Sequence, residues 1–279
     1  MAKQVLITKE DGTEEYFDPE KLRISLKRAG APANIVEEIV AHVVGEIVTG
    51  DSTQSIYRHA FSLLRKRARP VAARYSMKRA VLGLGPSGYP FEKFLAEIFT
   101  ALGYRARTGT ILRGKCVEHE IDVIAEKSGK RIGVEAKFHN NLGLKSDVKV
   151  SLYVKARFDD LRNAAKGENF DEVWLVTNTK FTGQATAYGK CAGLALVSWD
   201  YPRRGNLNDL IEEAGVHPVT CLTTLSGKEK LMLLTQGIVL CRDIMRGRGA
   251  LSSIGLSEVK INQVLTEARS LCARPARVE

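Results

Sequence analysis

The first part of the chain alternates briefly between apolar and polar residues and then changes to helical spacing. Residues 4–9 and 14–17 predict two short strands, joined by the hairpin turn signal Asp11-Gly12. Asp18-Pro19 predicts a helix start, with aspartate as the N-cap and proline at the first helical position. The pattern predicts further helices over residues 35–48, 53–64 and 71–81. A glycine-rich linker follows over residues 82–88.

The middle of the chain interleaves strands with helices, which indicates an α/β sheet. Helices are predicted over residues 90–102, 145–165 and 184–191. Strands are predicted over residues 105–112, 118–125, 131–138, 172–177 and 194–198. Helical signals follow, over residues 206–214, 227–235, 239–245 and 257–271. We therefore predict an α/β fold class in three segments, with bounds 1–85, 86–205 and 206–279.

Composition and charge narrow the class of protein. The 279 residues are 44% hydrophobic and 27% charged, which is typical of globular chains and excludes disordered or collagen-like ones. No apolar run reaches the roughly 18 residues of a membrane span, and the N-terminus has no apolar signal-peptide core, so we expect no membrane partner. Five cysteines without a CxxC pair indicate a reducing cytoplasm, not a disulfide framework or a cysteine zinc site.

The net charge of +10 favours a polyanionic partner such as nucleic acid. The densest basic run, residues 58–79, contains no acidic residue. It is either a solvated helix face or a nucleic-acid contact. Residues 206–279 are nearly balanced, with nine basic and eight acidic side chains.

Two neighbouring predicted strands carry the candidate chemistry. Alternation along the second strand puts Glu135, Lys137 and His139 on one face. If the strands pair, Asp122 of the first strand and Glu135 converge on one divalent cation. Mg²⁺ prefers such carboxylate oxygens, and it can activate water for phosphodiester hydrolysis. Lys137 would then lie beside that water, where it can orient the nucleophile and neutralise developing charge.

Three further residues have both a structural and a functional interpretation. Glu92 lies at the edge of the apolar stripe of helix 90–102, near the sheet, and is a third candidate ligand. His119 and His139 are each more typical of structural donors than of catalysts. His139 is the better functional candidate because it shares a face with Glu135. A short Glu-x-Lys string is by itself commonly a surface charge pair.

In context, these residues resemble a known family. The order along the chain is a helix with Phe91-Glu92, then Asp122, twelve further residues, Glu135-Ala136-Lys137, a helix and a strand. This order resembles the PD-(D/E)xK nuclease fold over residues 86–200. The pattern is similar to the branch with type IV (modification-dependent) restriction endonucleases and archaeal Holliday-junction resolvases. The proline of the motif is replaced by Ile121.

This resemblance implies metal ligands and a substrate. Glu92, Asp122 and Glu135 would bind Mg²⁺ or Mn²⁺, the Ala136 carbonyl would be a further ligand, and Lys137 would be the catalytic lysine. The substrate would be double-stranded DNA, with modified and branched DNA as open alternatives.

The N-terminal segment resembles a second family, the ATP-cone, a nucleotide-sensing module of ribonucleotide reductases and of the repressor of their genes. The resemblance covers residues 3–82 and rests on the strings at 8–12, 17–18, 21–22 and 71–75. It implies ATP or dATP as a regulatory ligand, with candidate binding residues Lys9, Asp11, Gly12, Asp18 and Lys21. Glu10 stands where the family has arginine. A docking module without ligand is the alternative. The sequence has no P-loop, so regulation is predicted in place of ATP-driven work.

The C-terminal segment resembles degenerate helix-hairpin-helix units over residues 225–238 and 251–257. Its helices would contact DNA phosphates or serve helical packing and dimerisation, so the formation of a homo-oligomer is left open. Together, these features predict a cytoplasmic, nucleotide-regulated, Mg²⁺-dependent DNA endonuclease of restriction, defence or repair. The alternatives are a non-catalytic ATP- or dATP-sensing DNA-binding regulator and a structural partner in a defence or repair complex.

Overall fold

The computed structural model describes residues 4–165, 167 and 169–272, so the ends of the first and third predicted segments lie outside the described residues. The described residues divide into two compact units. Unit 1 contains residues 4–80, 219–233 and 241–272, and unit 2 contains residues 81–218 and 234–240. Unit 1 thus combines parts of the first and third predicted segments.

The N-terminal residues form the predicted hairpin, followed by helices. The strands are β1 (Leu6–Thr8) and β2 (Glu14–Tyr16), and they pair antiparallel. The helices are α1 (Pro19–Arg28), α2 (Ala33–Glu46), α3 (Thr53–Arg67), α4 (Arg69–Tyr75) and α5 (Met77–Leu82). Asp18 caps α1 as predicted, since its carboxylate accepts a hydrogen bond from the Glu20 amide at 2.9 Å.

The single helix predicted over residues 71–81 is wrong, because the chain forms α4 and α5 with a break at Ser76. The Ser76 hydroxyl is buried and donates to the Ala73 carbonyl at 2.9 Å. A serine that bonds to a nearby backbone carbonyl competes with the regular helical pattern. The apolar periodicity of the sequence does not indicate this side-chain hydrogen bond, so it predicts an unbroken helix.

Unit 2 is built on a mixed five-stranded sheet, which confirms the predicted α/β class. Its helices are α6 (Tyr89–Ala101), α7 (Val148–Arg162), α8 (Gly183–Ala192) and α9 (Leu207–Ala214). Its strands are β3 (Arg105–Arg113), β4 (Glu118–Lys127), β5 (Lys130–Lys137), β6 (Lys145–Ser146), β7 (Glu172–Thr177), β8 (Lys180–Phe181) and β9 (Ala195–Val197). The sheet order is β3-β4-β5-β7-β9, with β3 to β5 antiparallel and β5, β7 and β9 parallel.

The predicted start of the helix over residues 145–165 is wrong, because Lys145 and Ser146 pair with β8 in a small parallel sheet. Asp147 then acts as the N-cap of α7, where its carboxylate accepts from the Lys149 amide at 3.0 Å. The two-residue strands β6 and β8 are too short to leave a periodic signal.

Helices cover both faces of the sheet. Trp174 and Leu175 are consecutive on β7 and therefore lie on opposite faces. The Trp174 ring contacts Phe99 of α6 with centroids 5.4 Å apart. Leu175 belongs to the same buried cluster as Val154 and Phe158 of α7. The central strands β4, β5 and β7 are therefore covered on both faces, by α6 on one face and by α7 on the other.

The residues after α9 are helical as predicted. They form a 3₁₀ helix (Val219–Cys221), α10 (Gly227–Thr235), α11 (Cys241–Arg246), α12 (Gly249–Ser253) and α13 (Glu258–Cys272). The 3₁₀ helix and α12 were not predicted. Glu267 of α13 is buried and accepts hydrogen bonds from the amides and hydroxyls of Thr223 and Thr224, at 2.6 to 2.9 Å. None of the helices in the part of the chain that the structure describes combines the length and the hydrophobicity that a membrane span requires.

Candidate active site

Asp122 and Glu135 lie side by side at the point where β4 and β5 separate. The last pair of this antiparallel ladder is Val123 with Val134, and Asp122 and Glu135 are the next residue on each strand. Continuing the register puts both side chains on one face of the sheet. The backbone amide of Ala136 donates to Asp122 Oδ2 at 2.7 Å, which ties the two strands together beyond the ladder.

Both carboxylates are largely buried, and burial is the largest cause of the raised pKa of each. The pKa of Glu135 is raised to about 7, first by burial and then by the negative charge of Asp122. Burial also raises the pKa of Asp122, while the hydrogen bond from the Ala136 amide opposes that change. Buried like charges of this kind are a common mark of functional sites.

Glu92 belongs to the same electrostatic cluster. It lies in the first turn of α6. Its pKa is raised to about 7, by burial first and then by the charges of Asp122 and Glu120. The structure therefore puts the three carboxylates predicted as ligands within electrostatic range of one another, together with Glu120, which the sequence analysis did not select. Among the described residues, their ligand atoms are not close enough to form one candidate metal-ligand group. Glu120 is two residues from Asp122 on β4, so strand alternation could have found it.

Lys137 is the last residue of β5 and is exposed. Its positive charge opposes the rise in the pKa of Asp122 and Glu135, and it adds to the lowering of the His139 pKa by burial, so its ammonium lies within electrostatic range of each. Alternation along β5 puts its side chain on the face that carries Glu135.

His139 follows the end of β5, and hydrogen bonds to other residues hold it. Its Nε2 atom lies 2.9 Å from the hydroxyl of buried Ser146. Its backbone amide donates to Asn178 Oδ1 at 2.8 Å, and the Asn178 side chain donates back to the His139 carbonyl at 2.7 Å. The pKa of His139 is lowered, by burial first and then by Lys137. These contacts give its imidazole a positioning partner outside the carboxylate cluster.

Arg157 of α7 contacts the carboxylate cluster, and the sequence analysis did not identify it. Its guanidinium donates to a carboxylate oxygen of Glu135 and to the Glu120 carbonyl, the latter at 3.1 Å. It also donates to the Tyr153 hydroxyl, and its carbon lies 4.7 Å from the Tyr153 ring centroid. The Tyr153–Arg157 spacing is one helical turn, but many such pairs are surface contacts. No feature of the sequence shows that this one faces β5.

His119 lies on β4, but its Nε2 atom is 2.8 Å from Asp160 Oδ2 of α7. Asp160 also accepts from the Cys116 amide at 2.9 Å. Its pKa is lowered to about 2, chiefly by the hydrogen bond to His119. This group anchors the β3–β4 connection to α7, which agrees with the structural interpretation of His119.

In unit 1, the candidate nucleotide-binding residues lie around the β1–β2 hairpin. The Lys9 and Lys21 ammonium groups both pair with Glu15 Oε2, at 2.7 and 2.9 Å. Asp11 Oδ1 accepts from the Thr13 amide and hydroxyl, and Gly12 has a φ of 81°, so both residues shape the turn. Asp18 is the α1 cap described above. The structure thus brings Lys9 and Lys21 together, whereas Asp11, Gly12 and Asp18 have structural contacts.

Comparisons with known proteins place the chain in a family. The family model described as restriction endonuclease matches residues 86–201, and the model described as AF1548-like, C-terminal, matches residues 217–272. An uncharacterized protein of Archaeoglobus fulgidus is 37% identical over 179 residues, which are 63% of this chain and 99% of that protein. The chain belongs to the AF1548-like family. The crystal structure of AF1548, a protein of unknown function, matches with 35% identity and a TM-score of 0.55, over 67% of this chain and 98% of that one.

These matches bear on the predictions in different ways. The restriction endonuclease-like domain is supported, and it suggests that the protein is a nuclease. The residues matched by the two family models begin at 86, so the ATP-cone resemblance of residues 1–85 stays a prediction. Residues 217–272 match the AF1548-like C-terminal family, and their contact with DNA also stays a prediction.

The donor set of the cluster fits a hard divalent cation. Restriction endonuclease-like domains typically use divalent metal ions such as Mg²⁺. Here the donors are carboxylate oxygens, and the pKa of Glu92 and of Glu135 is raised first by burial and then by neighbouring carboxylates, whose repulsion a bound cation relieves. Over the described ranges of the chain, no histidine or cysteine joins Asp122 and Glu135 in a group of three close ligand atoms, and no third carboxylate does so either. The chemistry of the cluster therefore favours Mg²⁺ or Mn²⁺ over zinc.

Proposed function

We propose that this AF1548-like protein is a Mg²⁺-dependent endonuclease that hydrolyses phosphodiester bonds of double-stranded DNA. One observation carries the proposal: Asp122 and Glu135 meet at the fork between β4 and β5, and the pKa of each is raised by burial. The match of residues 86–201 to the restriction endonuclease family supports the same reaction class. The net charge of +10 suits a polyanionic substrate.

In this proposal Asp122, Glu135 and Glu92 hold the ion. A bound divalent cation would polarise the phosphoryl oxygen and lower the pKa of a bound water. The Ala136 amide fixes one oxygen of Asp122, which leaves the other oxygen for the ion. Lys137 extends from the same face as Glu135, where its ammonium would offset charge that develops on the phosphate.

The test is cleavage of supercoiled plasmid, methylated DNA and branched DNA with Mg²⁺ or Mn²⁺. We expect Asp122→Asn and Glu135→Gln to remove cleavage and to leave DNA binding largely intact, since basic side chains supply most non-specific affinity. Glu126→Gln is the matched control, because Glu126 lies on β4 but pairs with Arg105 at the exposed surface. Cleavage by Asp122→Asn at the wild-type rate would refute the assignment.

We further propose that residues 1–85 bind ATP or dATP as a regulatory ligand that is not hydrolysed. The proximity of the Lys9 and Lys21 ammonium groups, which share Glu15, supports a phosphate site. Glu10, which replaces the arginine of the ATP-cone pattern, pairs with Arg79 at 2.5 Å. That pair brings the cation Arg79 next to the position where the family has arginine.

Calorimetry and thermal unfolding with ATP or dATP test this second proposal on the full chain. Nucleotide should raise the melting temperature by mass action, and Lys9→Ala or Lys21→Ala should reduce the shift. Lys27→Ala on the same helix as Lys21 is the control. Absence of heat and of a thermal shift at millimolar nucleotide refutes nucleotide regulation but leaves the endonuclease proposal standing. Nucleotide and DNA binding without cleavage on any substrate would favour the alternative, a non-catalytic DNA-binding regulator.

A further inference from the structure

A second cluster of metal-ligating side chains lies in unit 1, on the facing surfaces of α2 and α3. His42 and Glu46 are one turn apart on α2, and His59 is on α3. The ligand atoms of these three residues all lie within 4.8 Å of one another. The imidazole rings of His42 and His59 meet edge to face with centroids 5.1 Å apart.

Both imidazoles direct the same ring nitrogen towards one carboxylate. His42 Nε2 is 3.2 Å from Glu46 Oε1, and His59 Nε2 is 3.4 Å from Glu46 Oε2. Ligands bound tetrahedrally to Zn²⁺ at about 2.0 to 2.1 Å are themselves separated by about 3.4 Å. Each distance, one to either oxygen of the Glu46 carboxylate, is therefore close to the spacing of neighbouring ligands around a zinc ion.

The backbone beneath the cluster is held by core packing. Val43 follows His42 and is 2% exposed, and Ala60 follows His59 and is fully buried. Both belong to the hydrophobic core that α2 and α3 share. The helices are thus fixed, while the three side chains are partly exposed, at 47%, 57% and 31% for His42, Glu46 and His59. Such a site is accessible to an ion and leaves room for water as a fourth ligand.

We propose that His42, Glu46 and His59 form a Zn²⁺ site that links α2 to α3. Two imidazoles and one carboxylate are ligands that favour zinc and related transition metals over Mg²⁺. The site is separate from the carboxylates of the proposed endonuclease, and it does not depend on that activity. Bound zinc would add a cross-link between two helices that are otherwise joined by apolar contacts and side-chain pairs.

The test is zinc binding by the full chain after treatment with a chelator. Competition with a chromophoric chelator is measured in saturating Mg²⁺, so that the carboxylates of unit 2 are occupied. We expect one more zinc per chain in the wild type than in His42→Ala or His59→Ala, or a loss of more than about tenfold in affinity, since even an outer partner of a metal ligand changes affinity by 10- to 100-fold. Glu38→Ala, which removes another exposed acid of α2, should bind zinc like the wild type.

Two readouts separate a zinc site from a hydrogen-bonded side-chain cluster. Zinc should raise the melting temperature of the wild type and of Glu38→Ala, but not that of the two histidine variants. Cu²⁺ used as a probe should show hyperfine coupling to two imidazole nitrogens in the wild type and to one in His59→Gln. Equal zinc binding by the wild type and both histidine variants would overturn the proposal, as would the absence of zinc binding by the wild type.

Discussion

Lys137 is the residue whose chemistry depends most on its position next to two acids. Burial raises the pKa of both Asp122 and Glu135, and the Lys137 ammonium opposes that rise, so it already compensates negative charge in the free protein. During phosphodiester hydrolysis the same charge would meet a phosphate that becomes more negative. A group placed in this way stabilises the transition state more than the ground state.

We therefore predict that Lys137→Ala lowers the single-turnover cleavage rate by about 10²-fold or more, as the loss of one preorganised donor does elsewhere. Metal affinity should change little, because an ammonium is not a ligand. Lys137→Arg should also fail, since a guanidinium is larger and does not lose a proton. Lys130→Ala, at the other end of β5, is the control. If Lys137→Ala cleaves at the wild-type rate at saturating Mg²⁺, the lysine has no catalytic role.

Arg157 compensates the same acids from the neighbouring helix. Its charge opposes the rise in pKa that burial causes at Asp122 and Glu135, and its contact with Glu135 is largely buried. A cation that enters the cluster would compete with this guanidinium for Glu135. Removing one partner of a buried ion pair leaves the other charge uncompensated, and this is costly.

Arg157→Ala should therefore lower the stability of the metal-free protein, by about 1 to 3 kcal/mol for a pair that is not fully buried. Added Mg²⁺ should raise the melting temperature of the variant more than that of the wild type, because no guanidinium then competes for Glu135. Arg162→Ala, at an exposed position of the same helix, should behave like the wild type. Equal Mg²⁺-induced shifts in all three proteins would show that Arg157 and the ion do not share Glu135.

At the level of single residues, the sequence predicted what depends on strand alternation and missed what depends on packing between elements. Asp122 and Glu135 share a face because successive strand residues alternate, and this follows from the sequence. The contact between Arg157 and Glu135 requires α7 to cross β5 at one position. Helical periodicity does not contain that information, so Arg157 had no signal that distinguished it from other helix arginines.

Among the elements, β5 carries a close contact with α7 through Gly133. A Cβ atom at this position would lie 2.3 Å from Phe158 Cε1 and 3.0 Å from Phe170 Cδ1. The two rings pack edge to face, and Arg131 lies over the Phe170 ring at 4.5 Å. Neither ring can move aside without disturbing its neighbours. Glycine at 133 therefore sets the distance between the helix layer and the strand that carries Glu135.

Gly133→Ala should destabilise the protein by about 1 to 3 kcal/mol, the usual cost of overpacking a core. It should also slow cleavage, because Glu135 lies two residues away on the same face. Gly183→Ala is the matched control, since nothing lies within 4 Å of a Cβ at that position in α8, and helical alanine is favoured over glycine. Urea unfolding measures both variants. If the urea midpoint of Gly133→Ala equals that of the wild type, α7 and β5 can move apart without a loss of stability.

The elements themselves were predicted where they are long and periodic. The strand over residues 172–177 and the helix over residues 227–235 have the bounds that the pattern indicates. The pattern missed β6 and β8, whose pairing joins residues that are distant in the chain. It also missed the break at Ser76, where a side-chain hydrogen bond competes with the helix. Both misses concern interactions that a single hydrophobic period does not describe.

At the scale of the whole molecule, unit 1 is assembled from both ends of the described chain. α13 packs on α4, and the Thr220 hydroxyl donates to the Ala80 carbonyl at 2.6 Å. These interactions join residues more than a hundred positions apart. The sequence analysis predicted three consecutive segments, because linker residues are recognisable in the local sequence. Packing between distant segments leaves no such local signal.

Charge also acts on the scale of the whole molecule. The chain has 42 basic and 32 acidic residues, and the run over residues 58–79 has no acid. Arg65 and Lys66 are exposed at the end of α3 within this run. If the basic groups bind DNA phosphates, each bound phosphate releases condensed counterions, and affinity must fall as salt rises. The dependence of affinity on salt therefore measures how many phosphates the protein binds.

We predict that the affinity of Asp122→Asn for duplex DNA falls linearly on a log–log plot against salt, with a slope of about −0.9 for each phosphate bound. Adding Arg65→Gln and Lys66→Gln should weaken binding to a similar degree on all sequences and should make the slope shallower by about one for each phosphate that is no longer neutralised. Arg248→Gln is the control, because Arg248 is held by Glu258 in the charge-balanced C-terminal segment. Each slope is measured by fluorescence anisotropy between roughly 50 and 200 mM salt, a range over which phosphate-based binding weakens by orders of magnitude. An unchanged slope in the double variant would exclude this run from the DNA interface, and salt-independent binding would exclude a phosphate-based interaction altogether.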